Sequence, residues 1–340
     1  MKSRRLPLLF RTSPMAACLS LASLLAFSGC SAVQVKLGLR VSLAKVPVVS
    51  MEASLPNNPA IAPGEKSPLV VEVTGTDGKV LVTEGKGKGK ILWKDLAVAA
   101  SVVSVNKKGV VSLPKDPRVS DGKTGHVAVT IPSHLGMHAE LDIPLRYDYK
   151  FAANFSGAPG FPGSNGIDGT DGISGTPGSV DPNNPSPGGN GSDGGNGTDG
   201  SDGGNGNDAP PVQVMVTLRP GAHPLLQMKV GSTGSRKVKY FLVDPQGGSL
   251  SVNSTGGAGG SGGKGGRAGR GGSGGFGSPN GSNGSDGSAG RDGSDGQRGR
   301  GGSITLTYDP QAKPYLSAIH LNNDGGPAPI FQEQSVASLW

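Results

Sequence analysis

Between residues 256 and 302, glycine stands at every third position from Gly257 to Gly302, with Ser278 the single exception. A second row, from Gly259 to Gly277, adds another glycine to most triplets of the first half. The third row, from Ala258 to Arg300, has none. A period of three belongs to the polyproline II helix, with three residues per turn, about 3.1 Å rise per residue and no internal hydrogen bonds. The N–H and C=O groups of such a tract must be met by water or by a neighbouring segment. Order this strict specifies a shape and leaves little place for catalytic chemistry.

An earlier tract, 156–208, obeys the same rule. Glycine recurs every third residue from Gly157 to Gly178, with Pro159, Pro162 and Pro177 in the third position. Three prolines between 179 and 187 break the register, and it resumes in a new phase from Gly188 to Gly206. This tract carries seven Asp (168, 171, 181, 193, 199, 202, 208) and no Lys or Arg, whereas 256–302 carries Lys264 and five Arg against three Asp. The charges suit packing of one tract on the other.

Three arrangements meet the backbone's needs. The stretch 157–178 resembles bacterial collagen-like proteins, in which three chains wind together around an axis of glycines; that resemblance implies a trimer. The tracts also resemble the polyglycine II bundles of glycine-rich springtail antifreeze proteins and some phage tail adhesins, in which straight rods of one chain pack side by side. In such a bundle a Gly-Gly-x rod (256–277) suits an interior place and a Gly-x-y rod (281–299) an edge. The third arrangement is a disordered, solvated Gly/Ser linker. Ser278-Pro279-Asn280 is the natural point for a rod to reverse. The flanks of the second tract match, Gly247-Gly248-Ser249-Leu250-Ser251-Val252 against Gly301-Gly302-Ser303-Ile304-Thr305-Leu306. The tract therefore reads as an insertion into one β-domain, 209–255 with 303–340, whose flanking strands lie near each other.

Outside the tracts the pattern is all-β. From 51 to 155, short Val-rich runs alternate with turn signals, as in 69–73 and 80–82 around Asp77-Gly78, a hairpin signature. About seven strands in a hundred residues fit a β-sandwich. Pro63-Gly64, Trp93 and Val105-Asn106-Lys107-Lys108-Gly109-Val110-Val111 resemble the bacterial immunoglobulin-like (Big-type) domains of surface proteins. That resemblance implies a spacer or adhesion module.

The N-terminus reads as a secretion signal, 1–29: Lys2, Arg4, Arg5 and Arg11 precede an apolar run, 15–27, too short to span a bilayer. It ends in Ala26-Phe27-Ser28-Gly29-Cys30, which resembles the lipobox of bacterial lipoproteins. By that resemblance Cys30 is the lipidated first residue of the mature chain, 30–50 is a tether, and Ser31 favours the outer membrane, with the chain periplasmic or surface-exposed. Four of the 32 basic residues lie in the signal, so the remainder carries +3 in place of +7, weak grounds for a nucleic-acid partner. Cys18 and Cys30 are the only cysteines, which leaves no pair for a disulfide.

Residues 188–193, 194–199 and 203–208 each read Gly-Gly-x-Gly-x-Asp, a resemblance to half of the calcium-binding RTX repeat that makes Asp193, Asp199 and Asp208 weak calcium candidates. The apolar residue that fills the core of that repeat is missing, so solvated Asp is the simpler expectation. His134 and His138 have the spacing of a metal pair, but Gly136 and Pro132 argue against the helix that would align them. Matches to G-x-S-x-G at 259–263 and 271–275 lack a strand-turn-helix setting. Lys86, Lys88 and Lys90 alternate with glycine and suit a solvated loop or an anionic headgroup. No catalytic constellation, cofactor or metal site emerges. The expectation is a lipid-anchored structural or adhesive surface protein, not an enzyme, meeting an extracellular surface or matrix ligand; a calcium- or carbohydrate-binding module is the alternative. Oligomeric state stays open.

Overall fold

The computed structural model describes residues 31–219, 221, 223–233 and 237–340. The signal and Cys30 lie outside them. The fold is all-β and divides into two compact units. The first runs to Lys115 and resumes over Val119–Leu145; the second takes Arg146–Trp340 together with Asp116–Arg118.

In the first unit, nine strands form three antiparallel three-stranded sheets. They are β1 (Val48–Ser54), β2 (Lys66–Pro68), β3 (Val70–Gly75), β4 (Val80–Val82), β5 (Ala97–Ser101), β6 (Ser104–Val105), β7 (Val110–Ser112), β8 (Gly125–Thr130) and β9 (His138–Ile143). The sheet orders are β1-β3-β4, β2-β7-β6 and β5-β8-β9. All contribute to one core around Ile61, Val71, Val73, Val111, Val127, Val129 and Ile143. Alternation decides which side chains go in: β8 reads buried at Gly125, Val127 and Val129 with its other residues outside.

The Asp-Gly hairpin forms as expected, with Gly78 at φ +73° closing the turn between β3 and β4. The Val-x-x-x-Gly-Val-Val segment is the β6–β7 hairpin, where Gly109 at φ +68° lies so close to Trp93 that a Cβ would overlap the indole. The stretch 91–93 is a bridge at Ile91 running into a 3-10 turn, Trp93–Asp95, and 96–105 splits at Val102, whose φ of +65° ends β5.

In the second unit the strands are β10 (Lys150–Asn154), β11 (Val212–Arg219), β12 (Leu225–Ser232), β13 (Val238–Val243), β14 (Ser249–Asn253), β15 (Ile304–Tyr308), β16 (Ile319–Asn322) and β17 (Ile330–Glu333). They make two sheets, β10-β14-β16 and β13-β12-β11-β15-β17. Phe151, Leu250, Val252 and Ile319 of the one share a core with Val214, Val216, Met228, Ile304 and Leu306 of the other. The expected boundary at 155 therefore moves to 145/146, because β10 buries Phe151 and Ala153 in this second core and pairs with β14. The matched flanks of the second glycine tract, β14 and β15, sit in the two different sheets and meet in the shared core, Leu250 and Val252 with Ile304 and Leu306. A 3-10 segment over Pro310–Ala318 leads into β16.

Candidate functional site

The glycine tracts are four straight rods: rod 1 (157–178), rod 2 (188–208), rod 3 (256–277) and rod 4 (281–300). They are continuations of strands. β10 runs into rod 1 and β14 into rod 3; rod 2 runs into β11 and rod 4 into β15. The strands pair in parallel, Asn154 with Asn253 and Val212 with Ile304. The same separations, 99 and 92 residues, reappear in the side-chain bonds between the rods they feed. Register passes from sheet to rod without a slip, so the sandwich extends outward as two layers of rods.

Hydrogen bonds recur every third residue. Gly160, Gly163 and Gly166 of rod 1 donate to Ala258, Ser261 and Lys264 of rod 3. Gly191 and Gly194 of rod 2 donate to Ser282 and Ser285 of rod 4. Across the layers, Ser192 of rod 2 donates to Ile173 of rod 1, Gly260 and Gly263 of rod 3 donate to Gly204 and Ser201 of rod 2, and Gly284 of rod 4 donates to Gly272 of rod 3. Rods 2 and 3 thus bond to three neighbours each and rods 1 and 4 to two. This is the polyglycine II type of arrangement within one chain. The interior place expected for the Gly-Gly-x rod is the place of rod 3, and the edge expected for 281–299 is that of rod 4. The rods reverse at 179–187 and, as anticipated, around 278–280.

Close approach explains the glycines. A Cβ on Gly263 would overlap the carbonyl oxygen of Ser164, and one on Gly290 that of Thr198. The second row of rod 2 is freer: a Cβ on Gly204 would meet the amide nitrogen of Phe161 at 3.2 Å. That row accordingly admits Ser192, Thr198 and Ser201.

The Asp and Asn side chains have a structural task. In rod 2 the third position is always acidic or amide: Asn190, Asp193, Asn196, Asp199, Asp202, Asn205 and Asp208. Each Oδ1 accepts the backbone N–H of one rod-4 residue, at 2.6–2.9 Å. The next residue donates its own N–H to the carbonyl of that same residue, as Gly200 does to Arg291. An Asx-Gly pair thereby grips both polar groups of one peptide unit, the side-chain oxygen standing in for a missing ladder carbonyl. Asn165, Asp168 and Asp171 clamp Lys264, Arg267 and Arg270 of rod 3 in the same way. Hydroxyls of rod 2 make the shorter version: Ile167 N–H donates to Thr198 Oγ1 at 2.7 Å, and Thr198 N–H returns to Ile167 O.

This arrangement bears on two sequence readings. Asp193, Asp199 and Asp208 do not converge. They lie along one rod six or more residues apart, roughly 19 Å or more at the rise of such a rod, while calcium gathers six to eight oxygens within about 2.6 Å. Among the described residues no group of three or more His, Cys, Asp or Glu could hold a metal ion. The two tracts do pack on each other as expected, though not by pairing charged side chains. The acidic tract takes hold of the backbone N–H groups of Arg267, Arg270, Arg291 and Arg300, and these guanidinium groups are exposed.

The ion pair within the bundle is Lys264 to Asp292, 2.7 Å, between rods 3 and 4. Asp292 also accepts the N–H of Gly265. The Lys264 ammonium holds the Asp292 carboxyl below the usual carboxylate range, and Asp292 raises Lys264. A carboxyl lowered on folding contributes stability present above its unfolded value and lost as pH falls through its folded one. The raised lysine contributes below its unfolded value and loses that contribution as pH rises through its folded one. Comparing the melting temperature of wild type and Lys264→Met should give a small gap at neutral pH that closes in strong acid, small because both side chains are largely exposed.

The other candidates are separate. His134 lies in the turn between β8 and β9, with its ring bonded to Ser133, while His138 opens β9 with its ring on Gly136 O. Lys86 and Lys88 are exposed on a loop, and Lys90 donates to Gly38 O. The G-x-S-x-G matches fall inside rod 3. No helix among the described residues is long and apolar enough to cross a membrane. No protein-family model matches this chain, and the search of curated proteins found no match. The Asx-Gly clamp was missed from sequence, although seven Asn or Asp in seven consecutive third positions of rod 2 is the signal that announces it.

Proposed function

We propose that this is a lipid-anchored structural or adhesive protein of the bacterial outer membrane. In this reading Cys30 ties the chain to the membrane, the first β-unit is an immunoglobulin-like spacer, and the four-rod bundle is a stiff display element. The observation that carries it is the bundle itself. Its backbone groups are bonded between rods at each triplet, and its outer rows expose side chains that are mostly short and polar, with Phe161, Ile167 and Ile173 along rod 1. A rod of 22 residues at about 3.1 Å each reaches roughly 65 Å, from the sandwich to reversals where Val180 and Phe276 are exposed. An element of that kind supports a role in reach and contact. A calcium-binding role draws no support from carboxylates already engaged in clamps.

Mass spectrometry of the mature chain from a two-membrane bacterium tests the anchor. The expected N-terminal peptide begins at Cys30 and carries acyl chains; an unmodified Cys30 removes the anchor. Cells displaying the protein should adhere to an extracellular matrix surface, and Val180→Asp with Phe276→Asp should reduce that adhesion severalfold. Adhesion equal to that of cells lacking the protein would sink the adhesive role.

A further inference from the structure

Rod 1 has neighbours on two sides, and two rows of its side chains are exposed, the third-position row whose Asn165, Asp168 and Asp171 clamp rod 3 and the row from Phe161 to Thr176. Along that row large apolar and small hydroxylated residues alternate: Phe161, Ser164, Ile167, Thr170, Ile173, Thr176. Phe161, Ile167 and Ile173 are 85%, 74% and 78% exposed. They repeat every six residues, about 19 Å apart at the rise of such a rod, and the row bears no charge. We infer that this row is a self-complementary surface through which two copies of the chain associate, antiparallel, about a two-fold axis between Ile167 and Thr170.

The alternation specifies the register. With the axis there, Phe161 meets Thr176 of the second copy, Ser164 meets Ile173, and Ile167 meets Thr170. Every rung then sets one large apolar side chain against one small one, and the reverse rung follows by symmetry. A two-fold interface requires this reciprocity of the same patch on both subunits. Moving the axis onto Ile167 would set Phe161 against Ile173 and leave Ser164 facing Thr170 across a gap. Antiparallel packing is the mode in which rods 1 and 2, 2 and 3, and 3 and 4 already meet. The neighbouring third row of rod 1 carries Pro159, Pro162 and Pro177, which offer no N–H, so the edge resists open-ended addition of further rods, as proline does at a sheet edge. The six side chains of both copies would bury on the order of 1,000 Å², near the lower limit for a specific interface. A concentration-dependent dimer follows.

Sedimentation equilibrium on the full chain tests this across micromolar to submillimolar concentrations. Wild type should fit a monomer–dimer equilibrium. Ile167→Glu should weaken it at least tenfold, while circular dichroism stays unchanged because the side chain is exposed. Adding Thr170→Lys to Ile167→Glu should restore the dimer, since the two positions face each other across the axis. A wild type that stays monomeric, a trimer, or a dimer indifferent to Ile167→Glu overturns the inference. Weakening without rescue by Thr170→Lys overturns the register and with it the two-fold surface.

Discussion

Replacing Gly266 by alanine should lower the melting temperature of the rod-bearing unit by roughly 6–12 °C, from a loss of about 3 kcal/mol. The added methyl group would overlap the carbonyl oxygen of Ile167 and approach the amide of Asp168. Those atoms belong to a neighbouring rod, held at its own Gly166 and Gly169 by bonds to Lys264 and Arg267. The rods must therefore separate locally, and each ångström of separation weakens the bonds on both sides of the defect. Gly204→Ala is the matched control. Its Cβ would meet the amide nitrogen of Phe161 at 3.2 Å and the carbonyl oxygen at 3.4 Å, a misfit of a few tenths of an ångström, and alanine restricts the unfolded chain. Its cost should stay below about 1 kcal/mol. Calorimetry of both variants decides the matter; equal shifts would mean that rod spacing is not set by glycine contact.

The second large effect belongs to the clamps. Converting all seven third-position residues of rod 2, Asn190 through Asp208, to alanine should destabilise the packing of rod 4 by roughly 4 kcal/mol. That figure takes about 0.5 kcal/mol for each bond, the low end of the usual range, because water can reach the freed N–H groups. Converting the four Asp of the row to Asn should cost less than about 1 kcal/mol, since the amide oxygen accepts the same N–H. A row of Glu should behave like the alanine row, because the extra methylene carries the carboxylate past the amide it must cap. Hydrogen exchange at Ser282, Ser285, Ser288, Arg291, Ser294, Gln297 and Arg300 reads the effect residue by residue. Slow exchange persisting at these amides in the alanine row would show that the side chains do not hold them.

The two results test different parts of one design. Glycine sets how near the rods come, and Asx supplies the acceptors that a rod of this geometry lacks. The period of three, the break at 278–280 and the contrast between Gly-Gly-x and Gly-x-y were legible in the sequence because each follows from the chain's own steric demands. The Asp residues were harder to read. In sequence Asp193 resembles a calcium ligand, and the acidic tract as a whole a partner for the basic one. Both readings concern charge, whereas the structure uses the oxygen's position against a backbone 92 or 99 residues away. The place of β10 was misread for a related reason. Its alternation marks a strand, but nothing local tells which of two cores Phe151 enters.

The sequence by itself determined that residues 157–178, 188–208, 256–277 and 281–300 keep a period of three and that the remainder is β, because periods of three and two are properties of single segments. Tertiary structure alone decided which rod bonds to which. That choice rests on the parallel pairing of β10 with β14 and β11 with β15, whose registers run on unbroken into the bundle and bring each Asx oxygen opposite one amide. Hydrogen-bond partners about a hundred residues apart have no local signature; the sandwich has to form before they can be counted off.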